Sequence, residues 1–372
     1  MEAQLTGVGY VAFYQVHSLL RAAPGFDLRF FATRPCGGRD HFAGCRGAFS
    51  RRCILPCAGL ARYHLWRRFD WPPIEWFCGG VDIAHNFSHQ VPATRHAKRM
   101  VTVHDLSFLR MPEAHTPRNV RIQRELVRLC VARADALVAV SMNCKRELTE
   151  LLGIPEEKIY YVPNGVCLEE FETQTDPNAV TALKRRLNIR RDYFIHLGTI
   201  EPRKNIPRLL EAHARLRERQ PDCPQLVLVG KRGWRCGPIC DQIDSHVSSG
   251  RVVYVGYVNR ADALLLLRNA TACIYPSLYE GFGLPVLEAM AAGTPVITSN
   301  VSSLPEVVGD TGLLVDPESA ESIAVAMQDV LEDPAATAAR REAARKRAAT
   351  FTWEQSAALL AEVYRQVARQ RL

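Results

Sequence analysis

No stretch of the 372-residue chain approaches the roughly 20 consecutive apolar residues that a membrane-crossing helix needs. The opening MEAQLTGVGY has no basic segment followed by an apolar one, so it does not read as a signal peptide, and the cytoplasm is the expected compartment. No internal repeat and no low-complexity segment is found. The chain also lacks an RNP-like motif, zinc-finger spacing and a basic zipper, so no nucleic-acid partner is expected. Cysteine is not scarce, but paired spacing is. The 12 cysteines are spread from Cys36 to Cys273. Of the cluster Cys36, Cys45, Cys53 and Cys57, with His41 among them, only Cys53 and Cys57 come near the spacing of a zinc site. Reduced structural thiols and no metal are the reading.

What is present is an ordinary globular composition, 47% hydrophobic and 23% charged. The length suggests two domains. The net charge of +8 falls mostly in residues 1–170. A basic first half suits an anionic partner such as a phospholipid surface or a lipid diphosphate; an Arg-rich solvated surface is the alternative.

Periodicity predicts strands alternating with helices, the pattern of parallel sheets covered on both faces. Short buried strands are expected at Leu28–Ala32, Ile83–Asn86, Met100–Val103 and Leu137–Ser141. In the second half they are expected at Tyr193–Leu197, Leu226–Val229, Val252–Val255, Ala272–Tyr275 and Pro295–Thr298. Helices are expected at Val11–Leu20, Pro117–Ala134, Lys145–Leu152, Ile206–Arg219, Arg260–Asn269, Leu284–Ala292 and Trp353–Leu372. The polar stretch Thr173–Asn178, ending in Asp-Pro-Asn, marks a boundary. The expected domains are therefore 1–175 and 176–350, with 351–372 a closing helix. Only Met1 to Leu5 precede the first glycines, and they make a poor strand. The first sheet is expected to lack its opening strand, or to have it upstream.

Several loops carry chemistry. Gly7-x-Gly9-x-x-Ala12, with Asp27 further on, fits the dinucleotide fingerprint, but the strand that should precede it is absent. A glycine loop admitting a ligand to the backbone is the preferred reading. Val101–Asp105 is a strand running into polar residues, and carboxyl ends of parallel strands face the ligand crevice, which points to His104. Arg203 and Lys204 follow the strand Tyr193–Leu197 just before a helix, where an anion would sit. Gly230-Lys231 and Gly256 end two further strands. In Tyr275–Ala289 a strand gives way to Glu280, Gly281, Phe282, Gly283 and Leu284, and Pro285 opens a helix carrying Glu288. Backbone N–H groups there suit phosphate, whereas the two carboxylates suit sugar hydroxyls. Together they call for a ligand with both.

Glu280 and Glu288, set around Gly-Phe-Gly-Leu-Pro, resemble the E-x7-E signature of retaining glycosyltransferases of family 4. Thr6–Tyr10, as a first glycine loop, and Thr102–Glu113, Ile159–Val166, Gly198–Asn205, Leu304–Pro317 and Phe351–Tyr364 resemble further segments of that family. The resemblance implies an α/β GT-B fold, two doubly wound Rossmann-like domains facing each other across a cleft. It implies a nucleotide-sugar donor held mainly by the second domain, without metal or cofactor. By that analogy Glu288 binds the donor ribose, Glu280 the transferred sugar, and His104 lies beside that sugar. Many members carry Arg where Thr199 stands here, so either Arg203 supplies that charge or the pocket differs. The motifs VHDL and GTIEPRKN resemble mannosyl- or rhamnosyl-type transferases of polysaccharide assembly, which makes a GDP-sugar donor and a glycan or lipid-linked acceptor the expectation. A non-catalytic nucleotide-sugar-binding protein, and an epimerase or phosphorylase of the same fold, stay open.

Overall fold

The computed structural model describes residues 7–33, 49–55, 59–172, 176–248 and 250–370. Its packing divides the chain into two units. One comprises Met1–Leu106, Arg118–Gly165 and Trp353–Leu372, the other Ser107–Pro117 and Val166–Thr352. The division thus passes at Gly165/Val166 rather than near residue 175, and Ser107–Pro117 counts with the second unit.

In the first unit β1 (Arg29–Thr33) pairs in parallel with β2 (Arg51–Leu55). The strands β3 (Ile83–Asn86), β4 (Lys98–Val103), β5 (Ala136–Ala139) and β6 (Ile159–Tyr161) form a parallel sheet in that order. β5, ALVA, is buried at every position, as a strand covered on both faces must be. The helix Trp353–Arg369 belongs to this core. Ala357, Leu360, Ala361 and Tyr364 recur at helical spacing, and the stripe packs on Leu19, Met100 and Val138. Polar contacts fix its register: Gln15 Nε2 donates to Ser356 Oγ at 3.1 Å, and His85 Nδ1 lies 2.6 Å from Tyr364 Oη.

The second unit holds β7 (Tyr193–Leu197), β8 (Gln225–Val229), β9 (Val252–Gly256), β10 (Ala272–Tyr275), β11 (Val296–Ser299) and β12 (Leu313–Val315). All are parallel, in the spatial order β12-β11-β10-β7-β8-β9. The chain runs outward from β7 on one side, then returns and runs outward from β10 on the other. That reversal is the doubly wound arrangement, in which ligands bind outside the carboxyl ends of the strands where the order reverses. Helices such as Ile206–Arg219 and Ala320–Glu332 bury Leu209, Leu216, Ile323 and Met327 against Phe194, Leu226 and Ile274.

Two expectations are corrected. Gly7 and Gly9 do not form a loop; they lie in the first turns of the helix Gly7–Ala22, whose buried stripe Val11, Gln15, Ser18 and Leu19 carries the helical period through them. Of the boundary stretch expected at Thr173–Asn178, residues 173–175 lie outside the described residues, and Asp-Pro-Asn at 176–178 opens a helix. Asp176 accepts from Asn178 N at 2.9 Å and Pro177 sits in the first turn, so the tripeptide starts the helix Pro177–Arg186.

Candidate functional site

The loops after β7 and β10 lie on either side of the strand-order reversal, and their charged residues meet. β7 ends at Leu197. The chain then makes a short 3-10 turn, Pro202–Lys204, before the helix Ile206–Arg219. Asn205 joins the two in the left-handed region, with φ 59°, and its amide donates to Pro276 O at 3.0 Å and Pro317 O at 2.7 Å. Leu278 N donates back to Arg203 O at 2.9 Å. The loop after β7 is therefore tied to the loop after β10 by backbone as well as side chains.

Glu280 is the centre of this junction. Its Oε1 accepts from Lys204 Nζ at 2.6 Å and its Oε2 from Arg203 Nη1 at 2.6 Å. Arg203 also donates to Tyr279 O at 2.8 Å and to Glu201 Oε1 at 2.8 Å. Lys204 Nζ donates to Tyr275 Oη at 2.5 Å, and the Tyr275 ring stacks on buried His196, centroids 5.2 Å apart. Burial alone would raise the Glu280 carboxyl, but Arg203 and Lys204 outweigh it and hold it at about 2. Burial, with Arg203 beside it, lowers the Lys204 ammonium against the pull of Glu280. Burial pushes the Tyr275 hydroxyl well up, and pushes His196 down to about 4. His196 Nε2 and Glu201 Oε2 are buried and have no hydrogen-bond partner among the described residues. A neutral His196 and an ionised Glu280 thus flank the lysine.

The glycine-rich turn leads into the helix Leu284–Ala292. Ser303 Oγ donates to the carbonyls of Glu280 and Phe282, each at 2.9 Å, and Glu280 N donates to Ser302 Oγ at 3.0 Å. Gly283 caps the helix at φ 105°, and a Cβ there would sit 2.9 Å from Leu304 Cδ2. The first N–H groups of this helix are the anion-favouring end of its dipole. Phe282 is buried, its ring centroid 6.0 Å from that of Phe351, so its side chain belongs to the packing. Gly281 is buried beside it.

Glu288 lies within the same helix and does not join Glu280's cluster. Arg260 Nη1 donates to it at 2.7 Å, and Arg260 Nη2 to Glu170 at 2.7 Å. Burial raises the Glu288 carboxyl, with Arg260 opposing. The two acids of the motif therefore have different cationic partners.

Gly198, Gly230 and Gly256 form a row across the carboxyl ends of β7, β8 and β9. Gly198 N donates to Val229 O at 2.9 Å and Gly230 N to Gly256 O at 2.8 Å. A Cβ on Gly230 would fall 1.8 Å from the Gly198 carbonyl oxygen, so close backbone approach alone requires glycine there. Gly256 has φ 72° with open space around it. Lys231 is exposed, its ammonium 5.0 Å from the Tyr257 ring centroid.

His104 follows β4 in the first unit. Its Nε2 lies 2.9 Å from Phe87 O, and burial holds it down at about 4, so it is neutral at pH 7. Asp27, the acid of the dinucleotide fingerprint, is bonded to Arg29 at 2.6 Å and to Ser50. Of the cysteine cluster read as reduced thiols, Cys53 is a buried free thiol, while Cys36, Cys45 and Cys57, with His41, lie outside the described residues. A concavity of about 890 Å³ lined by Arg190, Arg191, Asp192 and Cys223 lies at the amino ends of β7 and β8. That is the wrong end of a parallel sheet for a ligand, and the converging charges are at the other.

Sequence reasoning missed Tyr275, His196, Glu201 and Arg260. Tyr275 and His196 read as strand residues, and nothing in the sequence sets Arg260 apart from other helix-initial arginines.

The family model described as "Glycosyl transferases group 1" matches residues 181–347, and "Glycosyltransferase Family 4" matches residues 6–170. The chain belongs to glycosyltransferase family 4. This glycosyltransferase is 33% identical, over 261 residues, to an O-antigen chain mannosyltransferase B of Escherichia coli, covering 69% of this chain and 67% of that one. It is 34% identical over 237 residues to a glycogen synthase of Mycobacterium tuberculosis, covering 63% of this chain but only 55% of that relative. Its structure resembles a glycosyltransferase from Rickettsia africae with TM-score 0.74 and 18% identity, over 100% of this chain and 98% of that one. With two Rossmann-like α/β units, the fold is GT-B.

Proposed function

We propose that this glycosyltransferase moves a hexose from a nucleotide-sugar to a hydroxyl of a glycan or lipid-linked acceptor in polysaccharide assembly. It would do so with retention and without metal, and GDP-mannose is the leading donor. The observation that carries the reading is the Arg203–Lys204–Glu280 cluster at the strand-order reversal, beside the amino end of the helix Leu284–Ala292. The leaving nucleoside diphosphate gains negative charge as its bond to the sugar breaks. Two fixed cations and a helix N-terminus in a mostly buried site stabilise that charge without reorganising. An ammonium has three donors, and Tyr275 and Glu280 accept two of them, which leaves one for a phosphate oxygen.

Retention is what the family resemblance implies, and the state of Glu280 bears only on the route to it. A carboxylate held at about 2 by two cations is a poor nucleophile, which disfavours a covalent glycosyl-enzyme on it. The acceptor hydroxyl would then attack on the face the diphosphate leaves, and the departing phosphate oxygen would take its proton. Glu280 would hold hydroxyls of the transferred sugar, Glu288 the donor ribose, and His104 would serve the reacting sugar from the first unit. The mannosyl donor and the O-antigen setting rest on the likeness to the Escherichia coli enzyme. The likeness to a glycogen synthase keeps glucosyl donors in the panel.

The test is a panel of nucleotide-sugars with glycan acceptors, scored by nucleotide release and by NMR of the product's anomeric carbon. GDP-mannose turnover that depends on acceptor, with retention, is expected. Donor binding without turnover would instead favour a non-catalytic protein, and turnover without acceptor an epimerase. Unchanged turnover in both Lys204→Ala and Glu280→Ala would remove the site.

A further inference from the structure

We propose that the face of the first unit bearing Phe69, Trp71 and Trp76 docks on an anionic phospholipid bilayer. The inference extends the reading of a lipid-linked acceptor and is tested apart from it. These three side chains are 64%, 48% and 56% exposed, an unusual outlay of aromatic surface within one short segment. Trp71 and Trp76 meet edge to face, centroids 5.7 Å apart. Neighbouring aromatics of the same segment turn inward: Trp66 is buried and stacks on Phe31, and Phe77 packs beside Phe31.

The outward three are not on a frayed loop. Trp66 Nε1 donates to Pro72 O at 3.0 Å, Arg133 donates to Trp66 O at 3.0 Å, and Ile74 N donates to Ala93 O at 2.9 Å. A segment anchored at both ends yet presenting two indoles to solvent is preorganised to bind.

Charge selects the partner. The two acids of the segment are turned onto the protein. Asp70 pairs with Arg99 at 2.7 Å, and Glu75 Oε1 accepts the backbone N–H groups of Arg95, His96 and Ala97 at 2.8, 3.0 and 3.1 Å. Arg67 is taken up by Glu125 at 2.6 Å. The side chains left outward on Gly59–Phe69 and the adjoining loop include exposed Arg68, Arg95 and His96. Indoles settle at the headgroup level of a bilayer, and a cationic rim adds attraction to anionic lipid.

The full chain is tested by flotation with vesicles of phosphatidylcholine plus phosphatidylglycerol, and with phosphatidylcholine alone. Binding to the anionic vesicles is expected. Phe69→Ala/Trp71→Ala/Trp76→Ala should lower the partition coefficient at least about tenfold. Arg68→Ala and Arg95→Ala should each lower it about fivefold. Transfer to a water-soluble acceptor, to which none of these residues contributes, reports that the variants fold. Should the triple variant fail to fold, quenching of wild-type tryptophan fluorescence by brominated lipid decides the matter. Failure of wild type to float or be quenched overturns the proposal, as does unaltered flotation of the triple variant. A dimer seen by light scattering that the triple variant abolishes, without vesicle binding, assigns the face to a second copy and also overturns it. Vesicle binding by a chain that transfers no sugar would sink the proposed reaction and leave the docking face standing.

Discussion

Lys204 and Glu280, 76 positions apart in the chain, form a buried ion pair of 2.6 Å across the strand-order reversal of the second unit. Each arrives at the end of a different strand, so the pair exists only because β7 and β10 are neighbours. A pair taken out of water is strongly coupled to its surroundings, with consequences for both stability and turnover.

Glu280→Ala leaves Lys204 and Arg203 buried without their shared carboxylate. Removing one partner of a buried pair costs roughly 3–5 kcal/mol. Urea unfolding should show a loss of about that size, whereas an unchanged midpoint would mean that the cations relax into water. Turnover should fall about a hundredfold or more.

The same carboxylate makes stability depend on acid. Its folded value, about 2, lies below its ordinary 4.5, so the folded state favours the ionised form. The stabilisation is complete above about pH 4.5 and is lost as pH falls toward 2. Unfolding followed from pH 6 downward should show this loss in the wild type and a smaller one in Glu280→Gln. Equal slopes would contradict the assignment.

His104 behaves oppositely to a histidine that gains an acidic partner. Burial depresses it to about 4, so between its ordinary 6.5 and 4 the unfolded chain binds the proton and the folded chain does not. Its contribution to stability is therefore present above pH 6.5 and declines on acidification. In an NMR titration its ring resonances should not move from pH 7.5 to 5.5; a midpoint near 6.5 would show an open, solvated ring. If His104 serves the reacting sugar, His104→Ala should lower turnover about a hundredfold with the fold intact.

The glycines separate packing from backbone freedom. Gly230→Ala places a methyl 1.8 Å from the Gly198 oxygen, and should cost about 3 kcal/mol or more or prevent folding. Gly256→Ala meets only the cost of φ 72° in open space, about 1–2 kcal/mol. Thermal melts of the two variants check the ordering, and similar losses would refute the close-approach argument.

The second half of the chain was the more legible. Tyr193–Leu197, Ala272–Tyr275, Ile206–Arg219 and Leu284–Ala292 fall where periodicity predicts, because apolar runs between glycine and proline signals mark buried strands and amphipathic helices. Gly7–Gly9 misled because glycine suggests a turn, whereas the tertiary contacts of Val11, Gln15 and Leu19 carry the helix through it. The short β12, Leu313–Val315, escaped because three residues have no period to read.

The sequence by itself determined the alternation of strands and helices, the placing of charged and glycine residues at strand ends, and the family. Those are local properties, written in residue type and spacing. Only the tertiary structure decided which strand ends are neighbours, and so which charges share a dielectric. It joined Arg203 and Lys204 to Glu280, gave Glu288 to Arg260, and turned Asp70 and Glu75 inward beneath Trp71 and Trp76. Pairing of this kind depends on the order of strands in a sheet and on the path of the backbone around a turn, and neither is carried by the spacing of residues along the chain.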